Sequence, residues 1–138
     1  MKVLVTGGAG FIGTEVCRLL VSQPNVQVIN VDSLTYAANL DGVNEFLTDG
    51  SYFFEEGDIR DSAKITTLLQ SFTPDSVVHL AAESHVDRSI DDGSTFISSN
   101  VVGTQVLLDC ALSYWRQLKR GKQAKFRFLH VSTDEVYG

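Results

Sequence analysis

The stretch "KVLVTGGAGFIG", Lys2 to Gly13, joins an apolar run to Gly7, Gly10 and Gly13, and its reading decides the fold. Residues 2–6 are β-branched and nearly continuously apolar, as a strand covered on both faces must be. Gly7 then lets the chain reverse tightly. Gly10 lets the backbone approach a pyrophosphate, and Gly13 lets helix and strand pack closely. Ile12, Val16, Leu19 and Leu20 mark one face of the helix that follows. Its N-terminus, with unpaired amides and the positive end of the dipole, is suited to an anion. Glycines also serve plain turns, so the triplet draws its meaning from the strand before it and the helix after it.

The same alternation continues along the chain. "VQVINV" (26–31), "YFFEE" (52–56), "SVVHLA" (76–81) and "FRFLHVS" (126–132) read as further strands. Ile65, Leu68, Leu69 and Phe72 mark a second helical face, with Asp61 or Ser62 as its cap. A long helix is expected over 94–118, apolar at Phe96, Ile97, Val101, Val106, Leu107, Leu108, Ala111, Leu112, Tyr114 and Trp115. Apolar residues over so much of its circumference call for cover on two sides, the sheet and a neighbouring helix or subunit. The fold expected is α/β: a doubly wound parallel sheet of about five strands with right-handed crossovers, a Rossmann-type dinucleotide-binding domain over 1–138.

Composition narrows the partners. The 138 residues are 43% hydrophobic and 20% charged, an ordinary globular mix for one domain. A net charge of −6 argues against nucleic acid or an anionic membrane as partner. The basic run Arg116, Lys119, Arg120, Lys122, Lys125 and Arg127 reads as a solvated helix C-terminus. No run is expected to span a bilayer, and the N-terminus is too short in apolar residues for a signal peptide. Cys17 and Cys110 sit in helical patterns without metal spacing, so free thiols and a cytoplasmic location are expected.

Candidate site residues collect at the strand ends. Asp32, nineteen residues beyond Gly13, closes the second strand. An acid there accepts hydrogen bonds from the adenosine ribose, and its charge would repel a 2′-phosphate. The expectation is therefore NAD, not NADP, although "VDSLT" is also good turn chemistry. Asp58 and Ile59 follow the third strand and could flank the adenine. After the fourth strand, Ala81 and Ala82 are small enough to let a flat cofactor pass, and Glu83, Ser84, His85, Asp87 and Arg88 crowd the same loop. His79 and His130 are expected as satisfied core histidines, and no metal is expected. "HVSTDEVYG" (130–138) brings Thr133, Asp134 and Glu135 to the same rim. Ser132 to Glu135 also matches the capping-box pattern. Two adjacent acids beside a nicotinamide pocket suit acid–base chemistry, with one carboxyl protonated and the other ionised.

"TGGAGFIG", "VDSLTYAANL", "GDIRD", "HLAAESHVDRSI", "FISSNVVGT" and "HVSTDEVYG" together resemble the extended short-chain dehydrogenase/reductase superfamily, and within it the dTDP-glucose 4,6-dehydratase family. The resemblance covers the whole chain, and "AAESHVDRSI" with "STDEVYG" is its most specific part. It implies Phe11 and Ile12 at the pyrophosphate turn and Asp32, Ser33, Leu34 and Thr35 at the adenosine. It implies Asp58 and Ile59 at the adenine, Leu80, Ala81, Ala82, Glu83 and Ser84 along the cofactor, and Ser99 touching it from the long helix. The family commonly has Thr at that last position; serine keeps the hydroxyl. Ser84 and Thr133 would hold the hexose of a sugar nucleotide. Asp134 would protonate the leaving C6 hydroxyl and Glu135 would take the C5 proton. The implied reaction oxidises C4 with NAD, eliminates water across C5–C6 and returns hydride to C6, giving dTDP-4-dehydro-6-deoxyglucose. Opposed protonation states at adjacent acids suit that elimination. A homodimer through the 94–118 helix is also implied.

The chain departs from the family in one respect. The family's Tyr-x-x-x-Lys pair is missing: Tyr137 has no lysine four residues on within these 138 residues. The expectation is an N-terminal portion, inactive alone, without the substrate lobe. The alternatives are a UDP-glucose 4,6-dehydratase, an epimerase or decarboxylase of sugar nucleotides, and a non-catalytic dinucleotide-binding module.

Overall fold

Successive residues of the first strand enter two different cores. Val3 and Val5 pack with Ala9, Cys17, Val28, Val43 and Phe46, whereas Leu4 packs with Ile29, Val31, Ile65, Leu69, Val77 and Leu107. A strand buried on both faces cannot alternate apolar with polar, which explains the unbroken run in the sequence. The computed structural model describes residues 1–84, 93–133 and 136–137.

Chain order is β1 (Lys2–Thr6), α1 (Phe11–Val21), β2 (Gln27–Asp32), α2 (Leu40–Asn44), β3 (Tyr52–Glu56), α3 (Ser62–Phe72) and β4 (Ser76–His79), then α4 (Gly93–Gln117), α5 (Arg120–Lys125) and β5 (Arg127–His130). Among the described residues the five strands form one parallel sheet in the order β3-β2-β1-β4-β5. This is the doubly wound Rossmann-type arrangement expected. The order reverses at β1, so the crevice for a ligand opens at the carboxyl ends of β1 and β4.

Local chemistry sets the helix ends. Asp61 caps α3: its Oδ1 accepts the Lys64 N–H at 3.0 Å. Thr73 closes the same helix in the left-handed region (φ 53°), donating its N–H to Leu69 O, and Pro74 bars continuation. The short helices α2 and α5 lie outside the expected elements. Asn39 caps α2 through Gly42 N–H at 3.2 Å. Reciprocal bonds fasten α5 to α4, with Trp115 Nε1 donating to Gln123 O and Gln123 Nε2 to Trp115 O, both at 3.0 Å. The basic run is thus divided between two helix ends and β5.

Helix α4 matches the expected long helix but contains a π segment, Ile97–Gly103, ahead of the regular α stretch Thr104–Gln117. Leu107, Cys110, Ala111 and Tyr114 face inward toward α3, and Tyr114 Oη donates to Pro74 O at 3.0 Å. Ile97, Val101, Leu108 and Leu112 are exposed, so the second side lacks the expected cover in this chain alone. At 25 residues this helix is long and apolar enough, by length and composition, to cross a bilayer. That corrects the expectation that no run qualifies, although its inner stripe is engaged with α3.

A buried histidine ties the layers together. His79 is fully buried, with Nδ1 2.7 Å from Thr6 Oγ1 and Nε2 3.0 Å from Thr104 Oγ1. His130, expected in the core, is instead exposed, because β5 pairs only with β4 and lies at the sheet edge. Its ring stacks on His79 at 4.9 Å.

The glycine turn is built on close approach. Gly7 has φ +74°, and a Cβ on it would lie 2.5 Å from Ala81 N. A Cβ on Gly13 would lie 2.0 Å from the Gly7 carbonyl oxygen, and one on Gly8 would strike the Asn30 side chain. At Gly10 the nearest atom is that same oxygen at 3.3 Å.

Two expectations are measurable in urea. Gly13→Ala should lower stability by about 1–3 kcal/mol, because backbone atoms must shift, and Gly10→Ala by clearly less; equal losses would contradict the packing described. Burial, with His130 adding to it, pushes the His79 pKa down from 6.5 to about 4. The unfolded chain therefore takes up this proton first, so stability should fall as pH drops from 6.5 toward 4. His79→Gln should flatten that part of the profile, and an unchanged slope would show that His79 is not its source.

Candidate functional site

A cavity of about 210 Å³ opens at the carboxyl ends of the strands. Its floor is the glycine turn, with Gly7 and Gly10. One wall comes from Asp32, Ser33, Thr35, Ala37 and Ala38 after β2, and another from Gly57, Asp58, Ile59 and Arg60 after β3. Leu80, Ala81, Ala82 and Glu83 after β4 form the opposite wall, with Thr95 and Ser99 from α4.

Asp32 organises the floor. Its Oδ2 accepts the Ala9 N–H and its Oδ1 the Leu34 N–H, each at 2.9 Å. One carboxylate thus joins the glycine turn to the loop after β2. Leu34 sits at φ 51° and turns its side chain onto the core, away from the cavity. Beneath the turn, Gly8 N–H donates to Asn30 Oδ1 at 2.9 Å, and Asn30 Nδ2 donates to Tyr52 Oη at 2.8 Å. Burial pushes the Tyr52 phenol up to about 12. Burial, then the Asp32 charge, does the same to the Cys17 thiol, which is therefore unreactive near neutral pH.

The far wall carries paired charge. Arg60 Nε contacts both Asp58 oxygens at 3.0 Å and holds this carboxyl below its usual range. Arg60 Nη1 also donates to Ser98 Oγ at 2.7 Å. Ile59 fits beneath α4 because Gly103 has no side chain; a Cβ there would lie 2.7 Å from Ile59 Cδ1. On the opposite wall, Asn100 grips Glu83 twice. Its Oδ1 accepts the Glu83 N–H and its Nδ2 donates to the Glu83 carbonyl, both at 2.8 Å. Both Ser98 and Asn100 project from the π segment, where a wider turn changes which residues share a face.

Of the residues singled out in the sequence, Gly7, Gly10, Asp32, Ser33, Thr35, Asp58, Ile59, Leu80, Ala81, Ala82 and Ser99 line this one cavity. Gly13 packs behind it. Phe11 and Ile12 do not line it; they stand at the first turn of α1, 90% and 60% exposed. Ser84 and Thr133 are exposed. Asp134 and Glu135, with His85, Asp87 and Arg88, lie outside the described residues. The capping-box pattern therefore goes untested at Glu135, while Val136 N–H reaches Thr133 O at 3.4 Å. Among the described residues no cluster of three His, Cys, Asp or Glu could hold a metal.

The sequence reading passed over Asn30, Tyr52, Tyr36, Arg60 and Asn100. A polar residue inside "VQVINV" is the one signal that pointed to Asn30; the others depend on pairings across loops.

The geometry suits an extended ligand with an anionic centre. Gly10 offers no side chain to cap α1, which leaves the helix start open beside the least crowded glycine of the turn. Asp32 stands where a hydroxyl-bearing end would lie.

Known proteins share this fold. The dTDP-glucose 4,6-dehydratase of Salmonella typhimurium is 51% identical over 138 residues, all of this chain and 38% of its own length. That of Haemophilus influenzae is 49% identical, with 41% of its length covered. The chain thus spans about two fifths of these relatives. A Streptomyces venezuelae dTDP-glucose 4,6-dehydratase, solved with NAD and TYD bound, superposes on the whole chain at TM-score 0.85 and 44% identity, over 41% of its own length. A UDP-glucose 4-epimerase from Stenotrophomonas maltophila, with bound NAD, superposes at 0.81 and 31% identity, over 38% of its length. The profile of the GDP-mannose 4,6 dehydratase family matches residues 4–138, and this chain belongs to that family.

Proposed function

We propose that these residues are the NAD-binding domain of a dTDP-glucose 4,6-dehydratase. The observation that carries the reading is the single cavity that unites the glycine turn, Asp32 and the Asp58–Ile59 wall. Support comes from relatives about 50% identical along the whole chain that bear that name.

NAD fits the residues present. The backbone at Gly10, Phe11 and Ile12 would receive the pyrophosphate, Asp32 the adenosine ribose, and Asp58 with Ile59 the adenine. Leu80 to Ser84 and Ser99 would lie along the cofactor. The Asp32 carboxylate already accepts two backbone N–H groups, yet each oxygen keeps a lone pair for a ribose hydroxyl. When bound, NAD supplies an acceptor for the C4 hydride and a donor for its return to C6.

The protein's own groups handle protons and orientation. Ser84 and Thr133 hold the hexose. Glu135 removes the C5 proton once C4 is a ketone, and Asp134 protonates the departing C6 hydroxyl. Epimerases eliminate no water, so the adjacent acids favour dehydration. A UDP-glucose dehydratase or epimerase is the second reading, favoured by the shared fold of UDP-glucose 4-epimerases at 31% identity. We further read the protein as cytoplasmic, with a sugar nucleotide and not nucleic acid or membrane as partner. We also read it as a homodimer through the exposed face of α4, where Ile97, Val101, Leu108 and Leu112 stay uncovered.

Incubating the full-length protein with NAD and dTDP-glucose or UDP-glucose tests the assignment. A 4-keto-6-deoxy product from dTDP-glucose is expected, and a 4-epimer instead would overturn it. Glu135→Gln and Asp134→Asn should each lower product formation about 10²- to 10⁴-fold while NAD binding is retained. Residues 1–138 alone, which contain no Tyr-x-x-x-Lys pair, should give no turnover. Light scattering at high concentration should report a dimer, and a monodisperse monomer would contradict the α4 interface.

A further inference from the structure

The wall after β3 carries a planar cation whose position is fixed at three places. The Arg60 stem lies against α4 where Gly103 leaves room: a Cβ there would stand 3.5 Å from Arg60 Cγ. One edge of the guanidinium meets the Asp58 carboxylate, with Nε 3.0 Å from both oxygens and Nη2 on Oδ2. Nη1 donates to Ser98 Oγ at 2.7 Å. Backbone bonds hold the loop itself, with Asp61 N–H on Asp58 O at 3.0 Å and Ser62 N–H on Arg60 O at 3.1 Å. The guanidinium plane is therefore set without any ligand. Arg60 lines the cavity, and its side chain stays 43% exposed.

What lies against this plane follows from the spacing of the strands. The ribose assigned to Asp32 sits at the end of β2, and β3 is the next strand outward. Adjacent strands stand about 4.8 Å apart, so a group bonded to that ribose on its outer side reaches the loop after β3. In a dinucleotide that group is the base, which is flat and aromatic. A guanidinium is flat, always charged and weakly hydrated, and it stacks on π faces in a way that a compact ammonium does not. Two edges of the Arg60 head are engaged by Asp58 and Ser98, which leaves its face as the surface for a ring.

We propose that Arg60 stacks its guanidinium on the adenine ring and so favours a purine at this end of the cavity, with Asp58 and Ser98 as the residues that position it. This rests on the reading of the cavity as an NAD site. Arg60 discriminates by overlap, since a purine covers the plane more fully than a pyrimidine.

The test is calorimetric titration of the full-length protein with NAD and with nicotinamide cytosine dinucleotide, in which cytosine replaces adenine. Arg60→Lys keeps the charge and a partner for Asp58 but has no plane, and Arg60→Met keeps only the stem. Each should weaken NAD binding about five- to tenfold and narrow the preference for NAD over the cytosine dinucleotide about threefold. Arg60→Lys binding NAD as tightly as the unsubstituted protein would overturn the stacking, because charge alone would then suffice. Equal weakening of both dinucleotides would overturn it too, because that marks a loosened wall and not a lost ring contact. If the unsubstituted protein binds no NAD, the cavity reading fails and the stacking with it. NAD binding with an unaltered base preference in both variants sinks the stacking alone.

Discussion

The first turn of α1 rests directly on the end of β1, and the position of everything at the ligand end follows from that contact. It exists because Gly13 carries no Cβ, which would lie 2.0 Å from Gly7 O, while Gly7 and Gly8 leave the same room for Ala81 and for the Asn30 side chain. Close approach leaves the start of α1 uncapped by any Gly10 side chain and points it into the crevice. Helix packing and anion binding are thus two consequences of one steric fact. The two cores beneath, one on each face of the sheet, hold β1 in place while the turn above it stays open.

A small set of side chains then fixes loops that have no ladder to hold them. Asp32 fastens the turn at Ala9 and the next loop at Leu34, and Asn30 supports Gly8 from below with Tyr52 behind it. Arg60 connects Asp58 to Ser98, and Asn100 connects the loop after β4 to α4. Buried backbone groups need partners, and here the partners come from across the cavity. The result is a pocket whose walls are tied to one another as well as to the sheet. The π segment of α4 contributes to this by presenting Ser98 and Asn100 to different walls.

The inner strands β1, β2 and β4 were legible because burial on both faces writes itself as runs rich in Val, Ile and Leu, and the edge strands β3 and β5 lie close to the aromatic-rich runs read for them. The glycine turn and Asp32 were legible for the same kind of reason, since spacing along the chain carries their geometry. His130 was misjudged because periodicity cannot say whether a strand has one neighbour or two. The π segment left no mark in a run such as "FISSNVVGT", where hydrophobic positions are compatible with either winding. Tyr36, Arg60 and Asn100 reach Glu83, Ser98 and Glu83, 17 to 47 residues away in sequence, and no local pattern encodes such pairings. Short helices α2 and α5 rest on caps and reciprocal side-chain bonds more than on an apolar stripe.

Membership of the GDP-mannose 4,6 dehydratase family fits a site that offers an open helix start, an acid at the end of β2 and a small-residue wall after β4. The central claim is that this cavity binds NAD and that the Asp32 carboxylate selects it. Titration calorimetry of the full-length protein with NAD and with NADP tests that most directly. NAD should bind at least about tenfold more tightly, a difference of roughly 1.4 kcal/mol, because a 2′-phosphate would face the Asp32 charge. NADP binding as tightly as NAD, or more tightly, would contradict the account.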